Sequence, residues 1–183
     1  MIWPFDQFTS PRSPSRGTIE TIYGMIVTQA REPAFYQNLG VEDTVNGRFE
    51  MIVLHLWMVL RRARENSENL AFAQTLFDHF CSDLDANLRE MGVGDLAVPK
   101  RMQKFGEAFY GRSAAYDRAM ADEDDPRGAM TKTLCRNVLN GFGMDKAKLL
   151  EGYVEETLAK LGRVDAAALR SGRFSFPAAP SVN

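Results

Sequence analysis

The sequence predicts an all-α fold: a single compact multi-helix domain of about six to eight helices with a central buried helix. Three observations predict it. Apolar residues recur at three- and four-residue steps along most of the chain, the mark of helices that bury one face. No segment of useful length alternates apolar and polar residues as a half-buried strand would. One run, Met51–Leu60 ("MIVLHLWMVL"), carries apolar residues on two opposite sides of a helical wheel, which places it between layers. With 183 residues, 45% of them hydrophobic, the chain can bury such a core without disulfides.

Residues 1–17 are expected to form a disordered or loosely packed tail, because Pro4, Pro11 and Pro14 interrupt regular structure. Its Ile2, Trp3, Phe5 and Phe8 are apolar enough either to pack on the domain's own surface or to meet a partner or a membrane. Residues 18–170 are expected to be the helical domain. Its first helix buries Ile19, Ile22, Tyr23, Ile26 and Val27. Pro33 opens a short helix that Gly40 closes. The central helix spans about Asn46–Arg64, with Phe49, Ile52, Val53, Leu56 and Leu60 on one side and Met51, Leu54 and Met58 on the other. The next helix, about Glu68–Met91, has Leu70, Ala73, Phe77, Phe80, Leu84, Leu88 and Met91 as its core face and stops at Gly92, expected at positive φ. Pro99 sits in the first turn of the helix that follows, whose apolar side is Met102, Phe105, Ala108, Phe109 and Tyr116. "DEDDP" marks a boundary: Asp125 is an N-cap, Pro126 suits the first helical position, and Leu134, Val138 and Leu139 face the core before Gly141. A long helix, about Asp145–Leu161, buries Leu149, Leu150, Tyr153, Val154, Leu158 and Leu161. A short one follows, capped by Asp165, and residues 171–183 form an extended tail.

The net charge of −2 and pI of about 5.8 argue against a DNA-binding protein, which would show a basic excess. Cys81 and Cys135 are far apart and suit reduced thiols in a cytoplasmic protein. The longest apolar run has ten residues, short of the about 20 of a membrane span. The start lacks the basic and apolar regions of a secretory signal.

"HFCSDLDANLREMGVGD", His79–Asp95, gathers a histidine, a cysteine and four carboxylates. On a helix His79 and Asp83 share a side, but Cys81 and Asp85 point nearly the other way, so the set does not converge on one metal ion. His79, Asp83 and Glu90 form a ridge beside the core face, and the central helix offers Arg48, His55 and Arg62 spaced by sevens. These six are expected to form a polar seam between the two helices, a device that sets register more than stability. No glycine-rich phosphate loop, GxSxG elbow or HExxH occurs, so no catalytic residue, metal or cofactor is expected. The alternative is a haem- or lipid-binding helical carrier using His55 and His79 between helices.

"FYQNLGVEDTVNGRFEMIVLHLWMVLRRAR", "LFDHFCSDLDANLREMGVGDLAVPKRMQKFGEAFYGRSAAYD" and "TLCRNV", in that order, resemble the ubiquinol–cytochrome c chaperone family over roughly Thr18–Gly162. The LREMGVGD turn, the VPKRM helix entry and the FYGR–AYD series carry most of the likeness. The resemblance implies a non-enzymatic assembly factor. Its client would be newly made cytochrome b, and its contacts a small partner protein and the ribosome. Without a recognisable transit peptide, the chain is expected to be a bacterial member. It would then be cytoplasmic, with a peripheral contact at the inner face of the cytoplasmic membrane. The segment Lys100–Arg118 is locally basic, and Asp95, Lys100, Arg101, Lys104, Tyr110 and Arg112 are expected to form the partner-binding face: the turn projects a cationic helix start, and Tyr and Arg favour binding hot spots.

Overall fold

The computed structural model describes residues 15–180, in which eight α-helices follow one another without a strand. They are α1 (Arg16–Ala30), α2 (Pro33–Gln37), α3 (Val45–Arg64), α4 (Leu70–Glu90), α5 (Val98–Met120), α6 (Pro126–Val138), α7 (Met144–Gly162) and α8 (Ala166–Arg170), with a 3-10 turn, Ser67–Asn69, leading into α4. The aromatic stretch Ile2–Phe8 lies outside the described residues.

The helices start where side chains can satisfy free backbone N–H groups. The Ser15 hydroxyl accepts from Thr18 N, so α1 begins at Arg16, inside the stretch expected to be tail. Thr44 accepts from Gly47 N at 3.1 Å. Asp125 and Asp165 cap α6 and α8 at 2.9 and 2.7 Å, as their sequence positions predict. Gly92 adopts φ +79° after α4. Gly47 is demanded for a different reason: a Cβ there would run into the Glu42 carbonyl, where the loop folds back over the first turn of α3.

α3 lies at the centre, packed against α1, α4, α5, α6 and α7. From Met51 to Leu60 every residue is buried except Ile52, which is partly covered. Helices α6 and α7 pair closely along one side, α5 lies beside α6, and α1 and α4 close the other side.

Three expectations about burial need correction. Leu70 and Met91, placed on the core face of α4, are 52% and 64% exposed because each lies at a helix end beyond its neighbours' reach. Phe72 and Leu76 are buried instead, since α4 touches α1, α3 and α5 and therefore buries a wider arc. Leu149 of α7 is likewise exposed. The end of the chain is extended as expected, but it is not loose. Residues 173–180 strap across α1, α3 and α7: Gln29 Nε2 donates to the Pro177 carbonyl at 3.0 Å, and Phe176 packs on the His55 ring with centroids 5.3 Å apart.

Candidate partner-binding surface

The two polar rows expected to meet in a seam between α3 and α4 turn toward other helices. On α3, His55 is completely buried. Its Nδ1 lies 2.7 Å from the Met51 carbonyl, which only accepts, so Nδ1 carries the proton. Nε2 therefore accepts from the Tyr153 hydroxyl of α7 at 2.8 Å. Phe35, Tyr153 and Phe176 surround the ring. Burial pushes the imidazole pKa down to about 4, partly opposed by the Met51 bond. Arg62 donates to the carbonyls of Leu161 and Val164 and so caps the end of α7. Arg48 pairs with Asp43 at the surface.

On α4, Asp83 accepts from the Tyr23 hydroxyl of α1 at 2.9 Å, and His79 packs edge-on against the same ring. Burial and the neighbouring Asp83 charge push the Tyr23 phenol pKa well above its ordinary value. Glu90 is exposed. Seven-residue spacing put each row on one stripe but gave no information about which neighbour the stripe meets. His55 has both ring nitrogens engaged and His79 lies against α1, so the two histidines do not form the pair that the haem-carrier alternative needs. Among the described residues no group of three His, Cys, Asp or Glu side chains is placed to hold a metal ion.

The residues carrying the family resemblance are largely clamps. In FYGR–AYD, Arg112 donates twice to Glu50, at 2.8 and 2.7 Å, and ties α5 to α3. Tyr116 is buried against Trp57, with ring centroids 5.0 Å apart. One oxygen of Asp117 accepts from both Trp57 Nε1 and Arg61 Nη1. In LREMGVGD, Arg89 spans Asp85 and Asp95 at 2.6 Å each and holds the α4–α5 turn shut.

The six residues expected on one face therefore divide. Asp95 is exposed but engaged by Arg89. Arg112 is a half-buried clamp, which corrects its placement on the free surface. Tyr110, 60% exposed, leans on Phe77 and Phe109 in a cleft toward α4. Lys100, Arg101 and Lys104 are exposed and make no ion pair among the described residues. Lys100 and Arg101 occupy the first turn of α5, which has no side-chain cap and no acid. Cations there face the positive end of the helix dipole, an unfavourable position for folding alone. Sequence reasoning missed the apolar part of this hairpin tip: Leu96 is 99% exposed and Met91 64%. Leu96 follows two glycines and a capped turn, but nothing in its own identity signals exposure.

These features define a class: an all-α protein built around one enclosed helix, with an apolar and cationic hairpin tip. The ubiquinol-cytochrome C chaperone family model matches residues 37–176, and the chain belongs to that family. It is 25% identical to ubiquinol-cytochrome-c reductase complex assembly factor 1 of Xenopus laevis over 86% of this chain and 81% of that protein. It is 27% identical to the mitochondrial protein CBP3 of Saccharomyces cerevisiae over 78% of this chain but 44% of that one. The crystal structure of the Cbp3 homolog from Brucella abortus superposes with a TM-score of 0.80 at 36% identity, covering 91% of this chain and 92% of the other. The all-α architecture is thus shared with a solved relative. No helix among the described residues is long and apolar enough to cross a membrane.

Proposed function

We propose that this protein supports assembly of ubiquinol–cytochrome c reductase by binding newly made cytochrome b, without catalysing a reaction. The observation that carries the reading is the family match over residues 37–176, together with relatives named as assembly factors of that complex. The hairpin tip suits the task. A membrane-protein client presents apolar segments joined by charged loops, and Leu96 and Met91 beside Lys100, Arg101 and Lys104 offer both kinds of contact. Arg89 holds the turn through Asp85 and Asp95, and Arg112 ties α5 to α3 through Glu50. The same cations suit a peripheral contact with the inner face of the cytoplasmic membrane, a small partner protein or the ribosome. Deleting the gene tests the reading. The expected outcome is a loss of assembled reductase and of cytochrome b, restored by the wild-type chain. Normal levels of both in the deletion strain would refute it.

A further inference from the structure

A second feature adjoins the hairpin tip and shares Lys104 with it. A groove of about 390 Å³ runs between the first turns of α3, the middle of α5 and the end of α6. Phe49 and Phe105, with ring centroids 5.0 Å apart, form its apolar wall. Its cations are Lys104, Arg112 and Arg136. Arg112 is neutralised by Glu50, whereas Lys104 and Arg136 meet no carboxylate among the described residues. Glu42 is the one lining acid left without an ion pair there.

The groove also contains a donor without an acceptor. Asn137 lines it and is 7% exposed. Its Oδ1 accepts from Arg136 Nε at 3.3 Å, which fixes the orientation of the amide. Nδ2 is then buried with no partner, and so is the hydroxyl of neighbouring Tyr116, which lies close to the amide without a well-formed hydrogen bond to it. Buried donors are ordinarily satisfied. The two unpaired cations, Lys104 and Arg136, lack an anionic partner among the described residues. The aromatic part of the lining is Phe49 and Phe105. A small inorganic anion would use the cations and leave the aromatic wall idle.

We propose that this groove docks an acidic segment of a protein partner: a carboxylate sits between Lys104 and Arg136, next to Asn137, while an adjoining apolar side chain packs on Phe49 and Phe105. The inference rests on the reading of this chain as a protein-binding assembly factor. Its test is a titration of the purified full chain, independent of whether the reductase assembles in a deletion strain.

The probe is a short fluorescein-labelled peptide of repeating Phe-Glu-Glu, followed by anisotropy. Saturable binding is expected, weakened about tenfold or more by K104A combined with R136A, the loss of two charge-assisted bonds. K132A combined with K148A removes two exposed cations elsewhere and is expected to change binding less than about twofold. In the wild-type chain the peptide is expected to shift the side-chain amide resonances of Asn137, a readout that needs no variant to fold. Three results would overturn the proposal. One is no binding, or no movement of the Asn137 amide. Another is equal weakening by the two double variants, the sign of unspecific charge attraction. The third is binding of phosphatidylglycerol vesicles or inorganic phosphate that depends on Lys104 and Arg136 while the peptide does not bind.

Discussion

Helix α3 and the α4–α5 hairpin are both rich in polar residues for their position, and they use them in opposite ways. Four polar groups of α3 tie it to its neighbours: His55 bonds Met51 and Tyr153, Arg62 caps α7, Glu50 grips Arg112, and Arg61 shares Asp117 with Trp57. At the hairpin tip, Lys100, Arg101 and Lys104 point to solvent without ion pairs among the described residues, next to an almost fully exposed Leu96. A charge in the first region stabilises the fold because its partner is fixed. A charge in the second contributes nothing comparable, and at the start of α5 it opposes the helix dipole. The contrast separates residues that make the structure from residues the structure displays.

The largest effect should come from the centre. Leu56→Ala removes a fully buried side chain where all sides are packed, and should cost about 2–5 kcal/mol in urea denaturation. A loss below about 1 kcal/mol would mean that α3 is not the enclosed element described.

The second test uses pH. The folded state holds His55 neutral, with a pKa near 4 against 6.5 for a free imidazole. The unfolded chain therefore binds more protons between those values. The stabilisation is complete above pH 6.5 and is lost as pH falls toward 4, in total roughly 3 kcal/mol. His55→Gln should flatten the fall in melting temperature between pH 6.5 and 4.5 relative to wild type. Parallel curves would show that His55 does not titrate with unfolding.

How much of this was legible in the sequence differs between the two regions for a physical reason. Helical periodicity records burial, so α3, the caps at Asp125 and Asp165 and the stop at Gly92 could be read directly. Periodicity does not record which neighbour a stripe meets. The rows Arg48–His55–Arg62 and His79–Asp83–Glu90 read as partners by spacing, but His55 and Arg62 meet α7, His79 and Asp83 meet α1, and Arg48 and Glu90 lie at the surface. The C-terminal strap was legible as extended but not as packed, because the residues it covers are distant in sequence. Arg112 could not be told from a surface arginine, since its partner Glu50 lies 62 positions away.

Arg112 gives the third test. Arg112→Ala leaves Glu50, whose side chain is 14% exposed, without its cation. A fully buried pair broken in this way costs about 3–5 kcal/mol; Arg112 is about a third exposed, so a loss of about 1–2 kcal/mol is expected. Arg112→Lys should recover only part of it, because an ammonium cannot make the two parallel bonds. A neutral Arg112→Ala would return this residue to the displayed surface.

The smallest effect on folding should accompany the largest change of charge. Reversing Lys100, Arg101 and Lys104 to glutamate alters three exposed side chains that make no ion pair among the described residues, so the direct cost should be close to zero. Two of the new acids would stand in the first turn of α5, where a negative charge contributes about 0.3–1 kcal/mol of stability. The melting temperature should stay level or rise slightly. Association with cytochrome b, the client proposed above, measured by co-purification from a membrane-competent lysate, should fall, and raising the salt should narrow the gap between wild type and variant as the electrostatic part is screened. A protein that is no less stable but binds less well would show that the cations were kept at the helix start for a partner, against the preference of the helix itself. A variant that unfolds would place these residues with the clamps of α3, and one that binds cytochrome b normally would remove the hairpin tip from the partner surface.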